Sequence, residues 1–133
     1  MENEKKIKVV LLEPGKLARA TEIDASLAGM QKTVDGLIEP FYPFEEQVCI
    51  VCNEESKING MRPNRSVKND DGVMVDFIFG PASICDCRGA RLGSLSDEQI
   101  DRYGKIFRYP EHLARVNDTL FGIPYRPQQE QER

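Results

Sequence analysis

The 133-residue chain has a single histidine, His112, and no glycine-rich loop of the kind that cradles phosphates. His112 lies near the C-terminal end with no nucleophile beside it, whereas Ser-His-Asp or Cys-His chemistry needs its base in a central cleft. Lysine and arginine form no cluster, and 22 acidic residues outnumber 18 basic ones, for a net charge of −4. A general nucleic-acid coat needs packed Lys and Arg to displace counterions, so that class is excluded. No apolar run approaches the roughly 20 residues that cross a bilayer. The opening residues Met1 to Lys6 lack the cationic start, apolar stretch and small-residue cleavage site of an export signal. A cytoplasmic location is therefore expected, with the four cysteines reduced.

With 40% apolar and 30% charged residues, the composition belongs to a folded protein and not to a disordered one. No repeat and no internal boundary is visible. The expectation is one α+β domain over residues 1–127 and a polar, frayed tail from Gln128 to Arg133.

Ile7 to Glu13 (IKVVLLE) is a β-branched and aliphatic run stopped by Pro14-Gly15, a turn dipeptide, and Ala18 to Ile23 completes a hairpin. Asp24 can cap a helix carrying Leu27, Met30 and Val34 at helical spacing, with Gly36 where it stops. Leu37 to Phe44 reads as a third strand, pushed to an edge by Pro40 and Pro43. Val48 to Cys52 (VCIVC) is a strong strand. Asn53 to Asn69 is a long polar segment, and β character returns from Val73 to Cys85 with a break at Gly80-Pro81. Ser96 and Gln99 have capping-box spacing, flanked by Leu95 and Ile100 at staple positions, and Ile100, Tyr103 and Phe107 form the buried stripe of the second helix. A short helical turn carrying Leu113 and Val116 follows Pro110. This order does not alternate βα. It predicts a mostly antiparallel sheet of about five strands with the two main helices packed on one face. Tyr42, Phe44, Phe77 and Phe79 alternate on strands as core or sheet-face residues.

The leading candidate site is the loop from Asn53 to Arg65. Asn53, Glu54, Arg62, Asn64 and Arg65 are its candidate binding residues, because two Arg forks within four positions can grip a phosphate or carboxylate. The opposing reading is that Asn, Gly and Pro simply make turns while the arginines are solvated or pair with Glu54 and Glu55. Cys49-x-x-Cys52 and Cys85-x-Cys87 have the residue types of a zinc site, but Cys49 and Cys52 face opposite ways on an extended strand. Buried, unreactive thiols are the better reading, with no metal and no cofactor. Asp97 and Glu98 sit in a first helical turn, where negative charge offsets free amides.

Glu13-Pro14-Gly15, the run from Val48 to Asn53-Glu54-Glu55, Gly60-Met61-Arg62-Pro63-Asn64-Arg65 and Ser94 to Ile100 together resemble the family known as domain of unknown function 3846. The resemblance runs from about Ile7 to Phe107. Its most specific parts are Asn-Glu-Glu and Pro-Asn-Arg. Arg62 stands where many members are expected to have an apolar residue or proline. The resemblance implies a bacterial, phage or mobile-element protein in an accessory or regulatory role. The family has no assigned chemistry, so no catalytic residue is carried over. The expected function is non-enzymatic binding of a protein or nucleic-acid partner through residues 53–65 and the adjoining sheet edge, with no membrane involved. The alternative is a small enzyme or nucleotide-binding protein that holds an anionic substrate with Glu54, Asn64 and Arg65.

Overall fold

Two stretches of the chain are apolar at nearly every position and not at every second one, and they dictate the architecture. The computed structural model describes residues 6–127. The tail expected to fray, Gln128 to Arg133, lies outside them. In chain order the elements are β1 (Lys6–Leu12), β2 (Arg19–Asp24), α1 (Leu27–Val34), β3 (Ile38–Phe41), β4 (Val48–Asn53), β5 (Pro63–Lys68), β6 (Met74–Phe79), β7 (Ala82–Asp86), α2 (Asp97–Ile106), β8 (Glu111–Val116) and β9 (Thr119–Pro124). β1 from Val9 onward, β4 and β7 bury almost every side chain they carry. They form the centre of a five-stranded sheet in the order β2-β1-β7-β4-β3. All its pairings are antiparallel, and Val10, Ile84 and Ile50 stand in one row across three strands.

The fold class, the antiparallel sheet and the two helices agree with the expectation. The placement of the helices does not. Met30 and Val34 of α1 pack with Ile7, Val9, Cys49, Val51 and Cys85. Tyr103 of α2 and Phe107 just beyond it pack with Val10, Leu12, Val48, Ile50 and Ile84. Val9 and Val10 are neighbours on β1, and successive strand residues point to opposite faces. The helices therefore cover opposite faces, which corrects the one-face expectation. The reason is in the strands themselves: a run buried at every position needs cover on both sides.

Local signals explain the helix ends. Ser26 Oγ accepts from Gly29 N at 3.0 Å, so Ser26 is the cap of α1 and Asp24 acts two residues earlier, accepting from Ser26 N at 2.9 Å. Asp35 closes the helix in the left-handed region at φ 64°. The capping box on α2 is complete: Gln99 N donates to Ser96 Oγ at 3.1 Å and Ser96 N donates to Gln99 Oε1 at 2.9 Å. Leu95 and Ile100 then pack on the α2-side core as a staple.

Two hairpins complete the molecule. β5–β6 lies on the α2 face, where Val67 and Ile78 enter the core. β8–β9 replaces the helical turn expected after Pro110. Asn117 and Asp118 have φ of 52° and 69°, the two positive values that match a tight turn to the twist of its strands. Glu111 pins this hairpin to β5 by accepting from Ser66 N at 2.9 Å and Ser66 Oγ at 2.6 Å. Among the described residues no helix is long and apolar enough to cross a membrane.

Candidate binding cleft

Of the Pro-Asn-Arg corner, expected at the surface, Pro63 is exposed but Asn64 and Arg65 lie inside the protein. On β5, Pro63 faces Phe79 and Arg65 faces Ile78, so Asn64 is an extra residue with no partner on β6. Such a bulge interrupts strict alternation, and Asn64, Arg65, Ser66 and Val67 are buried in succession. Asn64 Nδ2 donates to the Leu12 and Gly80 carbonyls at 3.0 and 2.8 Å. Arg65, 0% exposed, uses all five of its guanidinium donors. Nε donates to Phe107 O at 2.6 Å, Nη1 to Glu13 O at 3.3 Å and to Asn64 Oδ1, and Nη2 to Lys16 O at 2.6 Å and Arg108 O at 3.3 Å.

The four backbone oxygens among these acceptors belong to the turn after β1 and to the end of α2, where carbonyls gather at the negative pole of the helix dipole. Burial pulls the guanidinium down to about 10, which leaves it charged at neutral pH. The cation therefore ties β5, the β1–β2 turn and α2 together. The expectation that Asn64 and Arg65 meet a ligand in solvent is corrected, because carbonyls of the protein itself already occupy the donors an anion would need.

Asn53 is also structural in its contacts. Its Nδ2 donates to Val34 O at 3.2 Å and Asp35 O at 3.0 Å, and its Oδ1 accepts from Glu55 N at 2.7 Å. It caps the carbonyl end of α1. Glu54 and Arg62 are exposed. They are not brought together: the Arg62 guanidinium lies beside Gly15, whereas Glu54 lines a cleft that Arg62 does not reach.

That cleft, of about 310 Å³, opens between β3, β6 and the turn after β4. The turn is well defined. Asn59 N donates to Glu55 O at 2.8 Å, Gly60 N to Lys57 O at 3.4 Å and Met61 N to Ser56 O at 3.1 Å. The last two bonds, with Gly60 at φ 71°, make the motif that ends helices. One hydrogen-bonded helical turn thus stands at the lip, and its Ile58 side chain is 83% exposed.

Phe41 and Cys52 line the cleft from the main sheet, and Phe77, Ile78 and Phe79 from β6. Glu39, Glu54, Lys57 and Asp76 supply its charges. Lys57 Nζ pairs with Asp76 Oδ1 at 2.8 Å, and among the described residues neither Glu39 nor Glu54 is in an ion pair. The Cys52 thiol is pushed up to about 12, first by burial and then by the negative charges of Asp76 and Glu39.

Sequence reading missed Glu39, Phe41, Ile58 and Asp76 as lining residues. Ile58 carried a usable signal, being an isolated large apolar residue in the polar run Glu54 to Gly60.

The remaining candidates separate. Cys49 belongs to the α1-side core and Cys52 packs on the α2-side core, so the two thiols face opposite ways. Burial raises the Cys49 thiol strongly and the Cys85 thiol to about 11, which keeps both protonated at neutral pH. His112 stacks on Tyr125 with ring centroids 4.0 Å apart. Phe44 packs on Tyr103 and Phe107, whereas Tyr42 lies just past the end of β3, 62% exposed and outside the core.

No curated protein and no solved structure matches the chain. The family model described as domain of unknown function (DUF3846) matches residues 7–108, from the start of the central sheet to the end of the second helix, and the chain belongs to that family.

Proposed function

We propose that the protein is a binding module, not a catalyst, and that it holds a segment of a partner protein in the cleft between β3, the 54–60 turn and β6. Its role would be accessory or regulatory, in the cytoplasm of a bacterium and in the phage or mobile-element setting that the family resemblance implies.

One observation carries the reading: a large aliphatic side chain, Ile58, stands 83% exposed on a hydrogen-bonded turn at the lip of a concave surface. Burying such a side chain is worth about 1.5–3 kcal/mol, which only a partner would recover. The floor of apolar rings beneath a charged rim has the layout of recognition sites. The acidic rim favours protein over nucleic acid, whose phosphates Glu39 and Glu54 would repel. The alternative, an anionic substrate held by Glu54, Asn64 and Arg65, is weakened because the last two already bond to the protein's own carbonyls.

Selection of random peptides displayed on phage against the immobilised protein tests the proposal. Enriched peptides should bind the Arg62→Ala variant normally and lose binding to Ile58→Asp. Peptides that bind Ile58→Asp as well as the parent, or no enrichment at all, would remove the cleft from consideration.

A further inference from the structure

The cleft combines two features that a purely hydrophobic groove lacks. It brings three phenylalanines to one place, Phe41 from β3 with Phe77 and Phe79 from β6, and the latter two rings are 5.5 Å apart in a tilted pair. It also carries an unbalanced charge. With Lys57 neutralised by Asp76 at 2.8 Å, the charges left without an ion-pair partner among the described residues are Glu39 and Glu54, both negative. We infer that the cleft recognises a lysine or arginine side chain of an extended partner segment, the alkyl stem lying along the phenylalanines and the cation meeting Glu39 and Glu54. This inference rests on the cleft being the binding site.

Three physical arguments select that occupant. Aromatic faces attract cations, and long basic side chains lay their methylenes on apolar surface while keeping the charged head at the polar edge. A volume of about 310 Å³ is at the lower end of ligand sites, so it admits one long side chain with adjacent backbone and not a folded element. Finally, β3 is an edge strand, but Pro40 in its middle has no N–H to offer. Backbone pairing along that edge is interrupted, so affinity must come from a side chain entering the cleft. The raised Cys52 thiol is consistent with this field, since the carboxylates of Asp76 and Glu39 act on it after burial itself.

The test uses the same displayed random library on the full chain. Selected peptides should share one Lys or Arg position, and replacing it with norleucine in synthetic copies should weaken binding at least about tenfold. Glu39→Gln and Glu54→Gln, conservative changes at exposed positions, should each cause a similar loss, while Glu22→Gln on β2 should not. Raising ionic strength should weaken binding to the parent more than to the Gln variants. Peptides that need no basic residue yet fail on Ile58→Asp would overturn the cation inference and leave the cleft reading standing. A selection with no enrichment would overturn both.

Discussion

Glu46 offers a quantitative test of how the second helix is held. Its carboxylate, in the turn between β3 and β4, accepts from Gln99 Nε2 at 2.6 Å, Arg102 Nη1 at 2.8 Å and Tyr103 Oη at 2.6 Å, all on α2. The Arg102, Tyr103 and Gln99 donors lower its pKa from 4.5 to about 2. In the unfolded chain Glu46 takes up a proton near 4.5, and in the folded chain only near 2. Between those values the unfolded state binds more protons, so the contribution is complete above pH 4.5 and is lost as pH falls toward 2.

A shift of that size corresponds to at most about 3 kcal/mol. The side chain is 33% exposed, and solvent screening reduces this to about 1–2 kcal/mol. Glu46→Gln should therefore lower the urea midpoint by roughly 0.5–1 M at pH 7. The gap between variant and parent should close as pH approaches 2, because a protonated Glu and a Gln are then alike. Comparing the two proteins cancels the other titrating acids. A gap that is the same at pH 3 and pH 7, or a Glu46 carboxyl that titrates near 4.5 by carbon-13 NMR, would refute the reasoning.

Other perturbations have equally definite signs. Arg65→Met keeps the stem but leaves the Phe107 and Lys16 carbonyls, each now bonded at 2.6 Å, without a charged donor. It should lower stability by about 2–4 kcal/mol by urea unfolding. Asn53→Asp turns a donor that caps Val34 O and Asp35 O into a carboxylate facing them at the negative end of α1. Thermal melts should show it less stable than the parent at pH 7 and partly restored at pH 3. Gly80→Ala places a methyl group 2.5 Å from Met61 Sδ at φ 76° and should cost about 1–3 kcal/mol in the same assay.

Elements written in local signals were legible from the sequence. The Ser96/Gln99 capping box, the Pro14-Gly15 turn and the break at Gly80 all work through residues close in the chain, and each is found where expected. What escaped depends on distant partners. β5 was hidden because Asn64, Arg65 and Ser66 look like surface residues, and only carbonyls from Leu12, Glu13, Lys16 and Phe107 make their burial affordable. The β8–β9 hairpin was masked because Leu113 and Val116 also fit helical spacing, although Asn117-Asp118 was a readable turn signal. The opposite-face helices are foreshadowed by the consecutive apolar residues Val9 to Leu12 of β1 and Val48 to Cys52 of β4, which need cover on both sides. Of the candidate site, the loop and its neighbouring edge strand do meet in a cleft, but through Asn53, Glu54, Ser56, Lys57 and Ile58 and not through the arginines. Burial inverted the roles of Asn64 and Arg65, which became struts.

That inversion is tested most directly by proton–nitrogen NMR of the arginine side chains. The Arg65 Nε–H, bonded to Phe107 O inside the protein, should exchange with solvent over minutes or longer and should not move when inorganic phosphate is added. The exposed Arg62 should exchange too fast to follow. An Arg65 Nε–H that exchanges as fast as that of Arg62, or that shifts with phosphate, would contradict the account.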